Sequence, residues 1–68
     1  MTVGIIVKNL RKSRGYTQMD LAVKSDLLQT TISAVERGAD PTSTTLMKLA
    51  NGLGVPPSDL LTEKEVTK

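Results

Sequence analysis

Cysteine and histidine are both missing from the 68 residues, which removes disulfides, thiolate nucleophiles, Cys/His zinc sites and imidazole acid–base chemistry. Seven carboxylates remain, but they form no recognisable ligand run. Gly52-Leu53-Gly54 is not a phosphate loop, because no Gly-Lys-Ser/Thr follows a glycine. A Ser/Lys pair is conceivable, yet a chain this short leaves no pocket to hold it. The expectation is a binding protein and not an enzyme, with no metal and no cofactor.

Charge is the chemistry the chain does offer. Residues 1–24 hold Lys8, Arg11, Lys12, Arg14 and Lys24 against Asp20, a net +4. Residues 25–68 hold four cations against six carboxylates, a net −2. A basic half suits a polyanion, although a cluster of this size serves equally well as a plain solvated face.

Such side chains need a scaffold, and the composition bounds it. Hydrophobic residues make up 38% and charged residues 24%, ordinary proportions for a chain that folds. Tyr16 is the only aromatic, so the core must be aliphatic. A domain this small buries about 60% of its unfolded surface, and a single core yields roughly 3–5 kcal/mol. Dimerisation or a ligand would help. The longest aliphatic run near the start, Ile5-Ile6-Val7, is cut by Lys8, which gives neither a secretion signal nor a membrane span and points to the cytoplasm.

Apolar residues at Val3, Ile6, Val7 and Leu10 follow i, i+3, i+4, i+7 spacing and predict an amphipathic helix over about 3–14, closed by Gly15. Lys8 and Lys12 fall on its far side; Arg11 falls on the flank, where partial burial is expected. Thr17 with Asp20 is a capping-box variant that opens a second helix to about Lys24. Ser25-Asp26-Leu27 interrupts the pattern, and a third helix fits 28–37 with Ile32 and Val35 inward. Thr42 caps a fourth, with Leu46, Leu49, Ala50 and Leu53 inward and Gly54 as its stop. Residues 55–61 read as a brief fifth helix, since Pro57 is tolerated at a first helical position. No stretch alternates as a strand would. The expected fold is all-α: a compact five-helix domain over 1–61, then a charged, frayed tail over 62–68.

The second and third helices, joined by about four residues, describe a helix-turn-helix, though any five-helix bundle contains such a pair. The residues sharpen it. T-Q-x-x-L-A from Thr17, T-I-S-x-V-E-R-G from Thr31 and L-x-K-L-A-x-x-L-G-V from Leu46 occur in order. The stretch from Leu10 to Leu61 that holds them closely resembles the Cro/CI-type (XRE) helix-turn-helix family of phage repressors and bacterial regulators.

The resemblance implies a lambda-repressor-like fold, with the helix from Thr17 crossing the DNA backbone and the helix over 28–37 in the major groove. It places Gln29, Thr30, Ser33 and Ala34 toward bases. Gln29 then pairs with N6 and N7 of adenine, while Thr30 and Ala34 press on a thymine methyl. Gln18 and Arg37 face phosphates, Thr31 packs or touches phosphate, and Arg14 touches phosphate or nothing. Arg11 and Glu36 match an internal ion pair that anchors the reading helix. The family dimerises through its C-terminal helices, which assigns Val55, Pro57, Leu60 and Leu61 to an interface; sealing the core is the other use for Leu60 and Leu61.

Three positions depart from the family pattern: Asp26 stands where glycine is common, Leu28 where a Ser or Thr cap is common, and Ala34 where a long polar side chain is common. Direct base contacts are therefore sparse, and a monomer should bind DNA only in the non-specific range of roughly 10⁻⁴ to 10⁻⁶ M. The function expected is a dimeric repressor or autoregulator on a palindromic double-stranded operator, with RNA polymerase or a neighbour-encoded protein as further partners. The alternative is an antitoxin or other protein-interaction module on the same scaffold; only Thr62 to Lys68 is spare for wrapping a partner.

Overall fold

A computed structural model describes residues 2–61, so the expected tail at 62–68 lies outside the described residues. Four α-helices, α1 (Thr2–Ser13), α2 (Gln18–Ser25), α3 (Gln29–Glu36) and α4 (Ser43–Leu53), precede a 3₁₀ turn at Pro57–Leu60. No strand occurs among the described residues. The all-α expectation holds, but the fifth helix is corrected to that single turn. The turn is four residues long and begins at a proline, which leaves no room for a run of i→i+4 bonds. It tightens instead to i→i+3: the Asp59 N–H donates to the Pro56 carbonyl at 2.9 Å and the Leu61 N–H to the Ser58 carbonyl at 3.1 Å.

All four α-helices stop in the same way. At the end of α1 the Tyr16 N–H reaches back to the Arg11 carbonyl and the Gly15 N–H to the Lys12 carbonyl, both at 3.0 Å. This paired closure needs one left-handed residue. Gly15, Gly38 and Gly54 supply it for α1, α3 and α4, while Asp26, at φ 59°, supplies it for α2. The departure from glycine at Asp26 is thus accommodated, at the steric cost a Cβ carries in that region.

The helix starts differ more. Thr17 Oγ1 accepts the Asp20 N–H at 3.0 Å while Asp20 Oδ2 accepts the Thr17 N–H at 2.9 Å, completing the capping box. Those bonds from Thr17, backbone first, together with the Lys24 charge, hold the Asp20 carboxyl below its ordinary value. Thr42 Oγ1 accepts the Thr45 N–H at 3.1 Å and starts α4. Leu28 starts α3 with no side-chain bond at all.

Val7, Leu21, Ala22, Ile32, Val35, Leu49, Ala50, Leu53 and Leu60 form the buried core, with each α-helix and the 3₁₀ turn contributing. Each buried Val, Leu or Ile contributes about 1.5–3 kcal/mol of transfer free energy. The assignment of Leu60 to a dimer interface is corrected here: its side chain is 0% exposed and is consumed by this core. The neighbouring Leu61 is exposed, because consecutive residues of a tight turn point to different sides.

Two close helix contacts depend on glycine. A Cβ on Gly4 of α1 would overlap the Val35 carbonyl oxygen of α3, and one on Gly52 of α4 would overlap Ser25 Oγ of α2. Gly4 lets the backbone of α1 lie directly on the C-terminal end of α3, and Gly52 makes room in α4 for the Ser25 side chain.

Candidate nucleic-acid interface

The surface of α3 divides by burial. Ile32 and Val35 are 0% and 3% exposed and face the core, whereas Gln29, Thr30 and Arg37 are exposed. Ser33, Ala34 and Thr31 are half-buried along the flanks. Thr30, Thr31 and Ala34 line one side of a shallow groove whose other side is Ala39 to Thr42 and Thr45. The leading end of α3 therefore stands clear of the body, while its trailing end is held by other helices.

What holds it is a buried polar cluster. Arg11 is 8% exposed, and its Nε donates to Glu36 Oε2 at 2.6 Å while Nη2 donates to Glu36 Oε1 at 3.1 Å. Its Nη1 donates to the Tyr16 carbonyl at 2.7 Å, tying the α1–α2 loop into the same knot. Arg11 and Glu36, widely separated in sequence, thus meet in a forked, doubly bonded pair. Burial pushes the Glu36 carboxyl up, but the hydrogen bonds from Arg11 and Gln18 and the charges of Arg11 and Lys8 outweigh it and hold the group below its ordinary value.

Gln18 belongs to this cluster as well. Its Nε2 donates to Glu36 Oε1 at 3.1 Å, so the first residue of α2 is braced against the last residue of α3. The sequence assigned Gln18 to phosphate and gave no hint of Glu36 as a partner. An amide carries two N–H donors, and one bond to Glu36 leaves the second unspent. The Gln18 and Met19 backbone N–H groups, first in α2, also lack intrahelical acceptors.

Arg37 Nη1 donates to Ser33 Oγ at 2.6 Å, one turn back along α3. That i, i+4 bond draws the guanidinium along the helix edge and occupies the Ser33 oxygen as an acceptor. Nothing in residue type flagged it, since Ser33 and Arg37 were assigned to different tasks. Arg14 is exposed beyond the end of α1. Lys24 lies over the Tyr16 ring, 4.8 Å from its centroid, so one of the basic residues is engaged in the fold. Of the residues assigned to a dimer interface, Val55 is half-buried while Pro57 and Leu61 are exposed. Among the described residues no group of three or more Asp or Glu is placed to hold a metal ion.

Comparison with known proteins agrees with this geometry. A helix-turn-helix family model matches residues 7–60. The immunity repressor of Bacillus phage phi105 is 36% identical over 69 residues, covering 100% of this chain and 48% of that protein. The restriction-modification controller protein C.AhdI of Aeromonas hydrophila superposes with a TM-score of 0.83 at 32% identity, over 87% of this chain and 91% of that one. A chain of the SinR protein/SinI protein complex superposes with a TM-score of 0.83 at 32% identity, over 97% of this chain and 66% of that one. The chain spans about half the length of the phage repressor it matches. With the bonded pair of short helices, the exposed leading end of α3 and these likenesses in hand, the chain belongs to the XRE-type helix-turn-helix family.

Proposed function

We propose that this chain is a sequence-specific repressor or autoregulator that binds a palindromic operator as a dimer, with α3 in the major groove. The observation that carries the reading is the asymmetry of α3. Its leading end projects Gln29 and Thr30 into solvent, while Glu36 at its other end is fixed by Arg11 and Gln18. A rigid element with a polar, projecting tip can be pressed between sugar–phosphate walls without losing its shape on the way.

Gln29 offers the bidentate amide that suits adenine, and Thr30 and Ala34 offer methyl surface for thymine; Ser33, whose oxygen accepts from Arg37, keeps its hydroxyl hydrogen as a donor. The second Gln18 N–H and the first N–H groups of α2 converge on a phosphate, with Arg14, Thr31 and Arg37 along the same backbone track. So few base contacts keep a monomer weak, and pairing through the exposed Leu61 and Pro57 and the half-buried Val55 doubles them. The phage repressor and the restriction-modification controller among its relatives support a regulator acting by occupancy, blocking polymerase at a promoter. Likeness to a chain of the SinR/SinI complex also favours a second reading, in which a protein partner covers the same scaffold.

DNase footprinting upstream of its own gene, followed by binding measurements with Gln29→Ala, tests the proposal. The variant should lose about 1–3 kcal/mol at the protected site with little change on random duplex. The two half-sites should lie about 34–36 Å apart. Equal losses on both DNAs would remove Gln29 as a base reader, and sedimentation as a monomer at high micromolar concentration would remove the dimer.

A further inference from the structure

We infer that Leu28 is a specificity-determining residue whose side chain docks on the C5 methyl of a thymine at the edge of the site read by α3. The inference rests on the major-groove placement proposed above. Two disadvantages to the fold meet at this position. Leu28 is the N-cap of α3, in extended backbone at φ −82°, ψ 147°, and it makes no side-chain cap bond. Thr17 and Thr42 make that bond for α2 and α4, so α3 alone of these three forgoes it. The side chain is also 72% exposed, whereas its neighbour Leu27 packs against the core.

A serine would serve the fold better on both counts. What leucine adds is apolar surface immediately ahead of Gln29 and Thr30, on the same projecting tip. In the major groove the apolar feature a base pair presents is the thymine methyl, the other edge atoms being hydrogen-bond donors and acceptors. An aliphatic side chain beside the Gln29 amide therefore has one kind of base to rest on. This supplies part of the readout that Ala34, which has no polar side-chain atom, does not.

The test is enrichment of binding sites from a random duplex pool by the full chain and by Leu28→Ala and Leu28→Ser. Wild type should enrich a thymine at one position flanking the adenine that depends on Gln29. Replacing that thymine by deoxyuridine removes the methyl alone and should weaken wild-type binding about fourfold, the equivalent of one buried methylene-sized group. The same replacement should change binding by either variant less than about twofold. Leu28→Ser should meanwhile raise the melting temperature, which a merely structural role for leucine would not allow. A thymine preference that both variants keep, or deoxyuridine without effect on wild type, overturns the inference while the Gln29 dependence survives. If wild type enriches no sequence, the DNA-reading proposal itself fails and Leu28 falls with it.

Discussion

Replacing Arg11 with alanine removes three bonds at once: 2.6 Å and 3.1 Å to the two Glu36 oxygens and 2.7 Å to the Tyr16 carbonyl. The side chains of Arg11 and Glu36 are only 10% and 5% exposed, so water does not restore them. Glu36 is left buried, with Gln18 as its hydrogen-bond partner among the described residues. Stranding one member of a buried pair costs about 3–5 kcal/mol, as much as a single core of this size supplies. Arg11→Ala should therefore be largely unfolded at room temperature, read as helical circular dichroism through a urea titration. Lys12→Ala, on the exposed side of the same turn, should shift stability by less than about 0.5 kcal/mol.

Acid gives an independent signature. The folded Glu36 carboxyl lies below its ordinary value of about 4.3, so its contribution is fully present above that pH and is lost as the pH falls through the unfolded value toward the folded one. Without Arg11 the strongest of the influences that lower Glu36 is gone, so the loss of stability in acid should be shallower for any folded population of Arg11→Ala than for the unsubstituted chain. Equal, small losses in Arg11→Ala and Lys12→Ala, with parallel pH profiles, would refute the reasoning.

Two glycine-related positions give further tests. Gly4→Ala should gain about 0.5–1 kcal/mol of helix propensity but lose about 1–3 kcal/mol by overlap with the Val35 carbonyl, for a net fall in urea midpoint; a rise would mean that α1 does not lie this close to α3. Asp26→Gly should raise stability by about 0.5 kcal/mol, because relief of left-handed strain exceeds the extra chain entropy. The Lys48 contact it loses, 3.7 Å long and to a carboxylate 95% exposed, is worth little. A lower melting temperature for Asp26→Gly would show that the contact outweighs the strain.

The sequence by itself determined the four α-helices, their order and, to within about a residue, their ends, but not that residues 57–60 form a 3₁₀ turn in place of a fifth helix. These depend on local features: apolar residues three and four apart, a threonine accepting its own first-turn N–H, and a glycine or aspartate that tolerates positive φ. The family resemblance carried by its motifs also singled out Gln29 and Thr30 on the leading end of α3, where the structure leaves both exposed. Tertiary structure alone decided how Leu60 and Leu61 divide between core and surface, since two adjacent leucines are equivalent until a turn points them apart. It alone joined Gln18 to Glu36 and made Gly4 and Gly52 contact points, because each depends on where a distant helix lies in space. The chain encodes local hydrogen bonding directly, whereas burial and long-range partners emerge only after the helices have packed.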